Sequence, residues 1–233
     1  LAWRDTPVAR LVEQQTGIPA TLLNDARAAA RAEGLLGAAR GAHDFIMVTL
    51  GTGIGGAVVV DGKPWRGAHG LAGEIGHLRV APDGRLCGCG GHGCLETIAS
   101  ARAVAARYNW LSGSSEEVGA ETVVERALTG DAGAAGVWRE AVEALAAALA
   151  ATVAVVDCEL IVVGGGMALA GRALLDPLED ALCERITLAR PPRLALAQLG
   201  DGAGALGAAV AAWSQVFVSR AAGARDGGEA TGR

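Results

Sequence analysis

Two stretches of the chain are apolar without interruption, and both run straight into glycine. They are "FIMVTL" before "GTGIGG" and "LIVV" before "GGGM". Short continuous apolar runs of this kind mark strands buried on both faces, as in a sheet covered by helices. A further apolar run, "AVVV", follows the first glycine turn, so residues 44–65 read as two buried strands, with Asp61-Gly62 as a hairpin signal. Elsewhere apolar positions recur at helical spacing. A short helix is predicted over 6–16, with Thr6 as N-cap, Pro7 at the first helical position and Gly17 as its stop. "IPATLL" (18–23) reads as a strand, and the Ala-rich stretch from Asn24 to Ala39 as a helix opened by Asn24 and Asp25. Residues 67–94 are glycine-rich and without period, which inside a compact domain signals a functional or metal-held segment. Helices are expected at 94–108, 116–128 and 131–156, then a strand in "ELIVVGGGM", a helix, a short strand near "RLALAQL" and a last helix over 204–217. Residues 218–233 bury almost nothing and are expected to be a disordered tail. The alternation of strands and helices predicts an α/β fold.

Composition narrows the function. The 233 residues are 51% hydrophobic but only 3% aromatic, and the net charge of −5 gives no support to a nucleic-acid surface. The longest apolar run, "AVEALAAALAATVAVV", is too short and Ala-rich for a membrane span, and no export signal opens the chain, so a cytoplasmic location is expected. Five cysteines, an odd number, in such a chain point to metal or buried thiols rather than disulfides.

Three of those cysteines, Cys87, Cys89 and Cys94, form C-x-C-x4-C. Soft thiolates this close need one more donor to complete a tetrahedral zinc site, although reactive or merely buried thiols would give the same spacing. His92 inside the loop and His77 upstream compete for the fourth place; Cys158 and Cys183 stand alone and read as core residues. The glycine turns at Gly51-Thr52-Gly53 and Gly164-Gly165-Gly166 can bring backbone N–H groups against a phosphate or a flat base, though tight turns alone also explain them. Asn24 and Asp25 stand where a strand would end and a helix begin, a favoured ligand position that an ordinary helix cap shares. Glu74, His77 and Glu96 flank the cysteines, and a lining so rich in hydrogen-bonding groups suits a polyhydroxylated ligand.

"LLNDARAAA", "VTLGTGIGGAVVVDGKPWRGAHGLAGEIGHLRV", "CGCGGHGCLE" and "IVVGGGM" together resemble the ROK family of bacterial sugar kinases and sugar-responsive repressors, and among them the glucokinases. The resemblance implies an actin-like, ribonuclease-H-like sugar kinase fold of two lobes. Residues 1–38 would be the remainder of the first lobe, with the last helix (about 202–217) packing back on it, and 39–201 the second lobe with its zinc loop. It implies a structural zinc on His77, Cys87, Cys89 and Cys94, and sugar contacts from Asn24, Asp25, Glu74, His77 and Glu96, with Asp25 as catalytic base. It assigns Gly51, Thr52 and Gly53 to ATP phosphates, Gly164, Gly165 and Gly166 to the adenosine, and ATP with Mg²⁺ as phosphoryl donor. The implied reaction is phosphorylation of a hexose, glucose to glucose 6-phosphate, by a homo-oligomer.

Two departures stand out. No Asp-x-Gly-Gly-Thr hairpin, which holds Mg²⁺ and phosphates in the family kinases, occurs in these residues, so the first lobe is expected to be incomplete and phosphoryl transfer impaired. "NDAR" stands where "NDAN" is commoner, a change beside the base that bears on sugar preference. The alternatives are the sugar-sensing part of a ROK repressor or an inactive sugar-binding remnant.

Overall fold

The computed structural model describes residues 6–188 and 190–226, from 215 onward as backbone only. A sheet of five strands lies at its centre, in the order β3-β2-β1-β4-β5. The strands are β1 (Phe45–Leu50), β2 (Ile54–Val60), β3 (Lys63–Pro64), β4 (Leu160–Gly164) and β5 (Arg193–Leu196). The two apolar runs are neighbours: β1 and β4 pair in parallel, Phe45 opposite Leu160 and Thr49 opposite Gly164. β4 pairs in parallel with β5, while β1 and β2 form the expected antiparallel hairpin, Leu50 opposite Ile54. At the β2–β3 turn Asp61 (φ 51°) and Gly62 (φ 69°) both have positive φ, as a two-residue hairpin turn requires.

The helices are α1 (Val8–Thr16), α2 (Asp25–Leu36), α3 (Glu96–Ala99), α4 (Ala101–Ser112), α5 (Ala120–Leu128), α6 (Ala132–Val156), α7 (Arg172–Arg185) and α8 (Ala203–Asp226). They cover both faces of the sheet, which explains why its strands carry no polar alternation. Ile46, Val48, Leu50, Ile161 and Val163 point into a cluster with Leu145 and Leu149 of α6 and Leu174, Leu178 and Leu182 of α7. The alternate residues Phe45, Met47, Leu160 and Val162 meet Ala29 and Ala30 of α2 and Ala203 of α8. The expected α/β layering holds. None of the helices among the described residues is long and apolar enough to cross a membrane.

Several elements differ from expectation, each for a local reason. α1 starts one residue late, with Pro7 rather than Thr6 at its N-cap, but Gly17 ends it in the left-handed conformation as predicted. "IPATLL" forms no strand: no described strand pairs with it, and Ile18 and Leu22 are two-thirds exposed, because apolar extended backbone becomes a strand only beside a partner. The expected helix over 94–108 breaks at Ser100, whose extended backbone lets its Oγ accept the N–H of Ala103 and start α4 afresh. α5 begins at Ala120 instead of Glu116, because the Glu116 and Val118 N–H groups donate to Ser114 Oγ and Asn109 Oδ1. α8 continues to Asp226, so residues 218–226 of the expected tail are helical; 227–233 lie outside the described residues. Cys158 is buried as expected, but Cys183 is exposed, being one position past the buried Leu182 and so turned a quarter of the way around α7.

One buried charge ties the layers together. Glu33, at 0% exposure near the end of α2, accepts the N–H groups of Gln198 and Leu199 through Oε1, both at 2.9 Å, and that of Ala38 through Oε2 at 2.7 Å. Three donors satisfy a carboxylate that would otherwise be costly to bury, and they fix the link from β5 to α8 against α2. That link is one wall of the cavity described next.

Candidate active site and metal centre

A cavity of about 620 Å³ opens at the C-terminal ends of the parallel strands, between α2 and α8. Thr49 of β1, Gly164 of β4 and Leu196 of β5 reach it from the sheet; Asp25 and Ala26 come from the start of α2, Ala203 and Gly204 from the start of α8. Crevices beyond the carboxyl ends of parallel strands are where such sheets take ligands. Gly165 (φ 86°) is obligatory here, since a Cβ would come 2.5 Å from the Leu50 carbonyl oxygen. The Gly164-Gly165-Gly166 turn therefore presents bare backbone to the cavity while pressing on β1. Among the described residues, two carboxylates line the cavity, Asp25 and Asp201, and no lysine, arginine or histidine does. Asp25 is exposed and its Oδ1 accepts the N–H of Ala26 at 2.8 Å. Asn24 is a cap after all: its Oδ1 accepts the N–H of Arg27 at 3.0 Å. Capping and ligand contact are compatible, because the cap uses one atom and holds the side chain still.

The second centre lies on the irregular segment. His77 ends a short 3₁₀ turn, Ile75–His77, whose N-cap is Glu74. Cys87 and Cys89 sit in a turn closed by Gly90 N–H to Cys87 O (2.9 Å) and Cys87 N–H to Gly91 O (2.7 Å). Cys94 pairs with Arg79 in an antiparallel bridge just before α3. The donor atoms of His77, Cys87, Cys89 and Cys94 all lie within 4.8 Å of one another. His77 Nδ1 is 3.6 Å from Cys87 Sγ, and Cys89 Sγ is 3.6 Å from Cys94 Sγ. Tetrahedral zinc with Zn–S of about 2.3 Å and Zn–N of about 2.0 Å spaces its ligands about 3.5–3.8 Å apart, so the donor set fits that ion. His92 stands outside, its Nδ1 3.2 Å from the Gly84 carbonyl oxygen. Burial first, and then the Cys89 and Cys87 thiols, push Cys94 up to about 12, while the Gly91 N–H above all draws Cys89 down. Bound metal reverses that burial penalty by taking the thiolate directly.

Glu96 links this segment to the hairpin. Its Oε2 accepts the N–H of Ile54 at 2.9 Å, and Arg102 approaches Oε1 at 3.9 Å. It therefore reaches the base of the Gly51-Thr52-Gly53 turn, where the Gly51 N–H donates to Gly53 O at 3.0 Å. Gly51, Thr52 and Gly53 do not line the cavity that Asp25 shares with Gly164, Gly165 and Gly166; neither do Glu74, His77 and Glu96. Sequence reasoning missed Thr49 and Asp201. Asp201 had a signal, a Gly-Asp-Gly turn between a strand and a helix; Thr49, inside an apolar strand, had none.

Comparison with known proteins agrees with this architecture. The profile of the ROK family matches residues 1–215. A glucokinase of Thermotoga maritima is 35% identical over 221 residues, covering 89% of this chain and 70% of that enzyme. The crystal structure of a ROK hexokinase from Thermus thermophilus superimposes with a TM-score of 0.85 at 38% identity, over 92% of this chain and 72% of that one. A ROK family glucokinase from Streptomyces griseus, in complex with glucose and AMPPNP, gives 0.78 at 38% identity, over 89% and 72%.

Proposed function

Starting from membership of the chain in the ROK family, we propose that it phosphorylates a hexose, glucose above others, at the expense of ATP. One observation carries the reading: the carboxylate of Asp25 and the bare Gly164-Gly165-Gly166 backbone open onto one cavity at the ends of the parallel strands. The glucokinase and hexokinase relatives, one of them with glucose and an ATP analogue bound, support the choice of reaction and sugar.

Asp25 takes the proton of a sugar hydroxyl as that oxygen bonds to the γ-phosphorus and the bond to the ADP oxygen breaks. Asn24, held by its cap, orients the sugar beside the base; Glu74, His77 and Glu96 contact its other hydroxyls. His77 turns Nδ1 to the sulfurs, which leaves Nε2 for a hydroxyl. His77, Cys87, Cys89 and Cys94 would hold zinc, which supplies a rigid tetrahedral anchor for that segment. The Gly164-Gly165-Gly166 turn receives the adenosine, and Gly51, Thr52 and Gly53 the phosphates. Because the described lining of the cavity carries two carboxylates and no cation, phosphates leading out of it toward Gly51, Thr52 and Gly53 would need Mg²⁺ to screen them from Asp25 and Asp201. We assign residues 1–38, with α8, to one lobe and 39–201, which hold the five described strands, to the other; Ala29 and Ala30 of α2 and Ala203 of α8 pack against that sheet.

A coupled ADP-release assay with glucose tests the reading. Asp25→Asn is expected to lower turnover by about 10²–10⁴-fold with glucose affinity little changed. Glucose binding by the unaltered chain without ADP release would favour a sugar-sensing domain or an inactive remnant instead.

A further inference from the structure

Arg27 stands two residues past Asp25, and its side chain leaves α2 altogether. The half-buried guanidinium donates from Nη1 to the carbonyl oxygen of Gly70 at 2.7 Å, across 43 residues of sequence. Its backbone N–H donates to Asn24 Oδ1 at 3.0 Å, so one residue fixes both Asn24 and the loop opposite. That loop is closed on itself by the Ala72 N–H to Arg66 O at 3.2 Å. Its far end is flush with the sheet: a Cβ on Gly73 would come 2.8 Å from Ala57 Cα. Glu74 and the 3₁₀ turn with His77 follow at once. Among the described residues, the Arg27–Gly70 bond is the one hydrogen bond joining this loop to α2. A charged, bidentate-capable donor on a neutral carbonyl gives a strong bond, stronger still where water is partly excluded.

We infer that Arg27 is a positioning residue for sugar recognition: it fastens the 66–74 loop to the start of α2 and so sets Glu74 and His77 relative to Asn24 and Asp25. The inference rests on the sugar-binding reading above and adds to it a residue that needs no contact with sugar. Gly70 is the contact through which it acts, and the effect falls on affinity rather than on the base.

The test is isothermal titration of glucose into the unaltered chain, Arg27→Met and Arg27→Lys, with hydrogen exchange followed over 66–74 and with melting temperature and metal content as controls. Arg27→Met keeps the apolar stem and removes the donor. It is expected to bind glucose about tenfold or more weakly, with faster exchange at 66–74, metal content unchanged and the melting temperature lowered by no more than about 10 °C. Arg27→Lys, with one donor retained, should fall between. Unchanged affinity in Arg27→Met, unchanged exchange, or a lowered melting temperature with metal loss would each overturn the inference. Failure of the unaltered chain to bind glucose would instead overturn the glucose-binding reading, and the exchange comparison alone would then judge the tie.

Discussion

The two parts of the candidate site are held together by different physics. The cavity is walled by α2, α8 and the ends of three parallel strands, each with its back in one of the apolar clusters. The segment from Ile75 to Leu95 has a 3₁₀ turn, two isolated bridges and a set of local turns, and it reaches the apolar core through Ile75, Val80 and Leu95 alone. Of its four metal donors, His77 and Cys89 are exposed while Cys87 and Cys94 are buried. Burial of apolar surface shapes the first region, and convergence of donors on one point shapes the second. A rigid wall can come from the core at large, whereas a glycine-rich loop needs a local crosslink to hold side chains still. The two regions should therefore fail independently.

The largest effect is expected at the metal donors. Cys89→Ser should abolish stoichiometric zinc and accelerate hydrogen exchange across 75–95, with exchange in β1 and β4 unaltered, whereas His92→Ala should keep the metal. Metal analysis with exchange mass spectrometry reads both; zinc lost from His92→Ala and kept by Cys89→Ser would invert the assignment. Gly165→Ala should do the reverse. A side chain at φ 86° and 2.5 Å from the Leu50 carbonyl is expected to cost about 1–3 kcal/mol and to lower the denaturation midpoint, with zinc still bound. Loss of zinc in that variant would show that the regions are one cooperative unit.

Much of this was readable from residue order, because the informative features are local. Runs of apolar residues ending in glycine identified β1 and β4, and cysteine spacing picked out three of the four groups that stand close enough to hold a metal. The fourth donor was not readable from spacing alone: His92 is nearer in sequence, and only the fold shows it engaged with Gly84 instead. "IPATLL" has strand composition but no partner, a long-range property that no local pattern contains. Glu33 looks like a surface residue of an Ala-rich helix, yet it is fully buried because two distant N–H groups come to it. Arg27 and Gly70 could not be matched either, as 43 residues separate them. Thr49 was hidden by its strand, since which end of a sheet opens to a ligand depends on how the strands are ordered.

Glucose titration of one preparation before chelation, after complete removal of metal, and after zinc is restored tests the central claim most directly. One zinc per chain, affinity lost with the metal and regained with it, is the expected result. Undiminished glucose affinity in metal-free protein would contradict the claim that the four donors hold the sugar-binding segment in place.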